Sequence, residues 1–191
     1  IASDDNEPTP KQRRFAFALL NDIWLSQVGG VWLETAESTR RHFYGAYEYY
    51  HGLDFGEFSL SAVKGNKSDT NEFINMLLDY AVLHNISLSV KPLNELEPQE
   101  IAHWEYQCLM NKCCVICGKR PSDLHHLDGS RVGMGGDRRD VNHLGRRAVQ
   151  LCRTHHQMFH TDENKFMSKF HLNGIVINDE IAQTHRLKTG D

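Results

Sequence analysis

Two pairs of metal-ligating side chains lie in the second half of the sequence, and the members of each pair are separated by two residues. Cys114 and Cys117 form the first pair, and Gly118 follows where the chain must turn tightly. Cys152 and His155 form the second pair. This spacing lets two ligands from one turn reach the same Zn²⁺. The four side chains therefore predict a structural zinc site with three thiolates and one imidazole.

The distribution of cysteine and histidine also favours a metal site over a disulfide framework. All 5 Cys lie in the second half of the chain, and six of the 12 His fall between residues 111 and 160. An odd, clustered set of thiols is not typical of a disulfide-stabilised secreted domain. Cys108 and Cys113 are left over. Cys113 is an alternative to Cys114 in the first pair, although its spacing to Cys117 is less suitable.

Four further histidines in this region could form a catalytic site. If a helix begins near residue 153, His156 and His160 lie one turn apart on the same face, where two imidazoles can bind one cation. Residues 122–127 indicate a short strand, so the neighbours His125 and His126 point to opposite faces. One of these two can complete the metal site. The other can act as a base across the substrate, because an imidazole accepts a proton near neutral pH.

A glycine-rich, basic segment separates these histidines. Residues 128–147 lack the Gly-Lys-Ser/Thr ending of a phosphate-binding P-loop, so nucleotide binding is not predicted. A second strand, 148–151, then leads into the helix. The arginines of the segment and of the helix start are expected to contact phosphate groups. The expected phosphate contacts are Arg138, Arg139, Arg146, Arg147 and Arg153.

The order strand, basic loop, strand and helix, with these Cys and His residues, resembles the HNH endonucleases and their ββα-metal fold. The resemblance covers about residues 114–160. With its helical N-terminal half, the chain is similar to the HNHc nucleases encoded in phage and prophage recombination or replication modules. The resemblance implies that His125, His156 and His160 bind the catalytic metal and that His126 is the general base. It also implies cleavage of DNA to 5′ phosphate and 3′ hydroxyl ends, with Mg²⁺ or Mn²⁺ in use.

Two features of the site are left open by these residues. Three imidazoles suit Ni²⁺ or Zn²⁺ at least as well as Mg²⁺, so either could occupy the catalytic site. The middle Asn of the HNH pattern, which orients the base, would fall near Arg147, where no Asn is present. Asn142 and His143 are the nearest candidates, and we expect His143, ahead of Asn142, to take this role.

Composition and charge limit the class of protein. The 191 residues are 40% hydrophobic and 24% charged, and no apolar stretch approaches the roughly 18 residues that span a bilayer. The acidic start is unlike a signal peptide. We therefore expect a soluble intracellular protein that does not act at a membrane, and the resemblance to phage-encoded nucleases implies the cytoplasm of a bacterial host cell. Because the first residue is Ile1, we also expect that an upstream segment is missing.

The net charge of −4 is unevenly divided along the chain. Residues 1–110 contain 8 Lys and Arg against 16 Asp and Glu, whereas residues 111–160 contain 9 against 4. The remaining residues contain 4 against 5. A polyanion responds to the field around a site rather than to the overall charge. DNA is therefore expected to bind the positive segment that carries the Cys and His residues.

Apolar periodicity predicts four helices in the first 110 residues. They span about 10–25, 35–50, 68–84 with Ser68 or Asp69 as N-cap, and 98–110; a short strand is predicted near 58–60. A helix through Phe166 and Phe170 and a strand over 174–177 follow the site. The fold class is therefore α+β, with an acidic helical domain over 1–110 and a zinc-stabilised ββα-metal nuclease domain with a C-terminal extension over 111–191.

Two other functions are compatible with the sequence. The fold could serve as a zinc-stabilised DNA-binding or protein-interaction module without catalysis, which would need the zinc site but no second metal. Alternatively, the acidic helices could provide the function by docking a phage recombination or replication protein, or another copy of the chain. A homodimer would also be needed to cut two strands symmetrically.

Overall fold

The computed structural model describes residues 6–27, 34–127 and 141–190. It divides into two compact units, Ile1–Leu96 and Glu97–Asp191. The first unit contains α1 (Pro10–Ser26), α2 (Ala36–His51), α3 (Lys67–Leu83) and α4 (Pro92–Glu95). The second contains α5 (Pro98–Met110), β1 (Asp123–His126), β2 (Arg147–Leu151), α6 (Arg153–Thr161), α7 (Glu163–Phe170), β3 (Ile175–Val176) and α8 (Asp179–His185). The predicted α+β class is confirmed.

The boundary between the units differs from the predicted one at residue 110, because α5 packs within the second unit. The indole Nε1 of Trp104 donates a hydrogen bond to the Val115 carbonyl oxygen at 2.8 Å. The Glu105 carboxylate accepts from the backbone N–H of Gly174 at 2.8 Å. Leu109 is buried together with residues of β2 and α8. Helical periodicity predicted the residues that form α5. It does not indicate which of the two units buries the apolar face of this helix.

The first unit is built around α1, which packs against α3 and α2. Thr9 caps α1 with a capping box, in which its side chain accepts from the Gln12 N–H at 3.2 Å and the Gln12 side chain accepts from the Thr9 N–H at 2.8 Å. The core of this unit is formed by apolar side chains from α1, α2 and α3 and from the loop between α2 and α3. Its largest members are Phe15, Leu19, Ile23, Phe43, Tyr47, Phe58, Phe73, Ile74 and Leu77.

Two local predictions in this unit are wrong. The N-cap of α3 is Asn66, not Ser68 or Asp69, because the Asn66 side chain accepts from the Ser68 N–H at 2.7 Å. Residues 58–60 form no strand, although the structure describes them. The N–H of Phe58 instead donates to the buried Glu48 carboxylate at 3.0 Å, so it is not available to a neighbouring strand. One carboxylate on α2 thus holds this loop.

The second unit positions the site with a three-stranded antiparallel sheet in the order β1-β2-β3. His125 pairs with Val149 and His126 with Ala148 in the β1-β2 register. The core cluster joins β2 to α5 and α8 through Leu109, Ala148, Ile177, Ile181 and Ala182. The predicted order of strand, loop, strand and helix is confirmed, because β1 precedes the loop and β2 and α6 follow it. The strand predicted over 174–177 is shorter, and α8 was not predicted.

None of the helices within the described ranges combines the length and the apolar character that crossing a membrane requires.

Gly174, which precedes β3, is expected to be sensitive to substitution. It has a φ of +71°, and an added Cβ would overlap the Leu127 side chain, which directly follows β1. Gly145 has a similar φ of +77° but open space around the Cβ position. We expect Gly174→Ala to lower the free energy of unfolding by about 2–4 kcal/mol and Gly145→Ala by about 1 kcal/mol, since only the first adds overlap to backbone strain. Chemical denaturation of both variants checks this, and equal losses would contradict it.

Candidate metal centres and active site

The first candidate metal centre is formed by Cys114, Cys117, Cys152 and His155, whose ligand atoms all lie within 4.8 Å of one another. The Nδ1 atom of His155 is 3.3 Å from the Sγ atoms of both Cys114 and Cys152. The Sγ atoms of Cys117 and Cys152 are 3.9 Å apart. Tetrahedral Zn²⁺ with Zn–S bonds of about 2.3 Å would separate two sulfur atoms by about 3.8 Å. The donor set and its spacing therefore fit Zn²⁺.

Backbone hydrogen bonds shape the turn that carries the first two thiols. The Gly118 N–H donates to the Cys114 carbonyl oxygen at 2.7 Å, and Gly118 has the left-handed φ of +68° that glycine permits. The Val115 N–H donates to the Gln150 carbonyl oxygen at 2.9 Å, which fixes the turn beside β2. The two-residue spacing therefore corresponds to a turn that brings the side chains of Cys114 and Cys117 close together.

Burial changes the acidity of the thiols in this group. It raises the pKa of Cys114 to about 12 and also raises the pKa of Cys117. Burial opposes ionisation of Cys152 as well, but hydrogen bonds from the backbone at His155 and from the side chains of Cys114 and Cys117 leave the pKa of Cys152 lowered. Buried thiols this close together favour the thiolate form when a cation offsets their charge.

The leftover cysteines do not join the group. Cys113 is buried beside Cys108, and its N–H donates to the Cys108 carbonyl oxygen at 3.0 Å as the chain leaves α5. Cys114, rather than Cys113, therefore belongs to the four-residue group. The structure places Cys108 and Cys113 in the interior next to the end of α5.

The second candidate metal centre is formed by His125 on β1 and by His156 and His160 on α6, with all three ligand atoms within 4.8 Å of one another. The His125 Nδ1 atom is 2.7 Å from the His156 Nε2 atom. The His160 ring centre lies 5.1 Å from that of His125 and 4.7 Å from that of His156. The buried Phe159 ring packs 4.3 Å from the His125 ring. Three imidazoles converging from a strand and a helix can bind one divalent cation.

His126 lies on the other face of β1 and meets a different partner. Its Nε2 atom is 3.0 Å from the Nδ1 atom of His143, which is only 1% exposed. The His143 N–H donates to the Lys188 carbonyl oxygen at 3.1 Å. The alternation of β1 therefore separates a histidine in a metal-binding group from a histidine held by a second imidazole.

His126 and one member of the second candidate metal centre, His156, line a cavity of about 490 Å³. His143 also lines it, together with Asp123 and Leu124 of β1. A substrate in this cavity would contact His126 and lie beside the group formed by His125, His156 and His160. The arrangement combines a group that could bind a cation with an imidazole at the same cavity, and hydrolytic phosphodiester cleavage uses both components.

A comparison with protein families identifies the family of this chain. The family model described as "Putative HNHc nuclease" matches residues 1–189. The chain belongs to this HNH nuclease family. The match includes the helical unit as well as the Cys and His residues. Searches of the curated proteins and of the solved structures found no significant match.

In this member of the family, the two candidates for the middle residue are placed differently. His143 is buried against His126. Asn142 is exposed, and its side-chain oxygen accepts from the Leu144 N–H at 3.0 Å. The Asn142 side chain therefore stabilises a turn, whereas His143 contacts the histidine of the site.

The arginines expected to contact phosphates are only partly brought to the HNH site. Arg138 and Arg139 lie outside the described residues. Arg146 donates from Nε to the Asn142 carbonyl oxygen at 2.8 Å, and Arg147 and Arg153 are exposed at the starts of β2 and α6. As far as the structure describes the chain, none of these last three lines the cavity. The cavity wall instead contains Arg186 and Lys188, which sequence patterns had not singled out.

Proposed function

We propose that this HNH nuclease is a metal-dependent DNA endonuclease that hydrolyses phosphodiester bonds at the cavity beside β1. One observation carries the proposal. Consecutive residues of β1 face two different environments, because His125 joins His156 and His160 while His126 contacts His143 at the cavity. In the proposed site, the cation group and the base would lie on opposite sides of one bound phosphate.

His126 is the general base in this proposal. Its imidazole takes a proton from a water molecule, the water oxygen bonds to phosphorus, and the bond from phosphorus to the 3′ oxygen breaks. The leaving 3′ oxygen takes a proton from solvent water. The products are a 5′ phosphate and a 3′ hydroxyl. His143 positions the His126 ring, since the two rings are joined through Nε2 and Nδ1 at 3.0 Å. Proton transfer by a positioned side chain contributes about 10²- to 10⁴-fold to the rate.

His125, His156 and His160 would hold the catalytic cation. When bound, a divalent cation supplies positive charge that stabilises the transition state and the leaving oxygen. Mg²⁺ or Mn²⁺ is the proposed ion in use. The imidazole donors also accommodate Ni²⁺ or Zn²⁺, so the metal bound after purification need not be the catalytic one.

Cys114, Cys117, Cys152 and His155 would hold a structural Zn²⁺. Cys152 is the N-cap of α6, and His155 lies in its first turn, directly before the proposed metal ligand His156. A zinc ion there would fix the start of α6 relative to the turn at Cys117. The structural site thereby supports the geometry of the catalytic one.

The biological setting is part of the same proposal. The enzyme would act in the bacterial cytoplasm on DNA during phage recombination or replication, with the acidic helical unit available to dock a protein partner. Cutting both strands symmetrically would need two active sites and hence a homodimer.

Incubation of supercoiled plasmid with the full chain tests the proposed activity. We expect nicked or linear product in the presence of Mg²⁺ or Mn²⁺, with ends that carry a 5′ phosphate and a 3′ hydroxyl. EDTA should abolish the reaction. Intact plasmid across these metals, together with one Zn²⁺ per chain and no second metal site, would instead support the non-catalytic binding module.

The contact between His126 and His143 predicts different effects for two neighbouring substitutions. We expect His143→Ala to lower the cleavage rate by about tenfold and to alter its pH profile, because the ring of the base loses its partner. His143→Asn should retain more activity, since an amide can still hydrogen-bond to an imidazole. Asn142→Ala should cleave at nearly the wild-type rate. Equal losses in the two alanine variants would contradict the assigned role of His143.

A further inference from the structure

The chain that leaves α8 forms one wall of the cavity at the proposed active site. The cavity is lined by His185, Arg186, Leu187 and Lys188 together with His126 of β1 and His156 of α6. The first four residues come from the C-terminal extension, beyond the residues that carry the HNH pattern. The cavity is therefore completed by a segment that contributes two permanent cations.

Hydrogen bonds hold this segment in place. The Arg186 N–H donates to the Gln183 carbonyl oxygen at 3.1 Å, and the Leu187 N–H donates to the Ala182 carbonyl oxygen at 2.9 Å, which closes the end of α8. The Lys188 carbonyl oxygen accepts from the His143 N–H at 3.1 Å. The backbone of the segment is thus tied directly to the residue that contacts His126, and its two cationic residues line the same cavity as the proposed base.

The charge on this wall comes from Arg186 and Lys188. Both side chains are exposed. His185 donates from Nε2 to the Leu109 carbonyl oxygen at 2.8 Å, and burial lowers the pKa of its imidazole, which favours the neutral form. Asp123 is the one acidic side chain in the described lining. Two cations against one carboxylate favour an anionic ligand.

We propose that Arg186 and Lys188 form a phosphate-binding subsite that holds the backbone of the DNA strand being cut. Guanidinium and ammonium groups are the side chains that neutralise phosphates in nucleic-acid complexes. From this wall they contact non-bridging oxygens of the phosphates next to the scissile one. The subsite rests on the proposed function, but it concerns binding rather than the chemical step.

Anisotropy of a fluorescein-labelled DNA duplex measures this binding in the full chain carrying His126→Ala, which prevents cleavage during the titration. We expect Arg186→Gln with Lys188→Gln to raise Kd by about tenfold and to reduce the slope of log Kd against log salt by about 2. Arg186→Lys should recover part of the affinity. The control is Arg14→Gln with Lys91→Gln, two exposed cations of the first unit that give the same change in net charge.

The result that would overturn the subsite is equal affinity and equal salt slope for the two double variants. Lys188→Gln alone provides a second variant if the double substitution lowers the melting temperature, and its salt slope should fall by about 1. In the background with His126 intact, the double variant should raise KM more than it lowers kcat. A wild-type chain that cleaves no DNA would contradict the proposed function, whereas the binding titrations would still decide the subsite.

Discussion

Replacing His126 with alanine is expected to lower the rate of DNA cleavage by about 10²- to 10⁴-fold, the contribution of a positioned general base. The substitution removes the imidazole that faces the cavity but leaves His125, on the other face of β1, in its group with His156 and His160. Affinity for the divalent cation should therefore change little. The rate is measured on supercoiled plasmid at saturating Mn²⁺, and metal binding is measured by calorimetry.

A histidine outside the site serves as the control for this substitution. His42 is exposed on α2 in the first unit, so His42→Ala should cleave at the wild-type rate. Equal cleavage by wild type and His126→Ala would contradict the role of His126 as the base. Loss of both cleavage and metal binding would indicate that the two faces of β1 do not act separately.

Replacing Cys114 with serine is expected to remove the structural Zn²⁺ and to destabilise the second unit by several kcal/mol. Structural zinc sites contribute about 10–16 kcal/mol of binding free energy in small domains, and that energy is coupled to folding. Loss of one thiolate should lower the melting temperature by tens of degrees, given about 4–8 °C per kcal/mol for a domain of this size. Cleavage should be lost as well, because the start of α6, which carries Cys152 and His155, would lose the zinc ion that fixes its position.

The neighbouring residue provides a matched control. Cys113 is also buried but lies outside the ligand group, so Cys113→Ser tests the loss of a buried thiol without loss of a ligand. We expect it to keep one Zn²⁺ per chain and to cost about 1–2 kcal/mol. Elemental analysis and thermal unfolding of the two variants distinguish them. Full zinc content in Cys114→Ser would contradict the proposed zinc site.

Local spacing predicted the components of the site because each depends on short-range geometry. Two residues between ligands define a turn, four residues along a helix place His156 and His160 on one face, and neighbours on a strand separate His125 from His126. All of these follow from the backbone period alone. The structure brings these groups together as those periods indicate.

Tertiary contacts account for what the sequence did not predict. The assignment of α5 to the second unit depends on the Trp104 indole reaching the Val115 carbonyl oxygen and on Glu105 holding the turn at Gly174. The sequence favoured His143 over Asn142 for the middle position, but the contact of His143 with His126 is a tertiary one that the sequence does not show. Arg186 and Lys188 reach the cavity because α8 packs on α5 and β2. Periodicity in the sequence does not predict such packing between distant elements.

The cap of α3 and the loop at residues 58–60 show the same limit on a smaller scale. Asn66, Ser68 and Asp69 are all good N-cap residues, so composition could not select among them. The alternating apolar side chains near Phe58 fit a strand, but the N–H of Phe58 donates to Glu48. The buried Glu48 carboxylate therefore stabilises a loop at these residues instead of a strand.

The most direct test of the account is the dependence of plasmid cleavage on Mn²⁺ concentration in wild type and in His160→Ala. His160 is exposed on α6, so its loss should leave the fold and the structural zinc in place. We predict saturable, EDTA-sensitive cleavage by wild type. His160→Ala should need about tenfold or more Mn²⁺ for its half-maximal rate. Full wild-type cleavage in EDTA, or superimposable curves for the two proteins, would contradict a metal-dependent nuclease site at His125, His156 and His160.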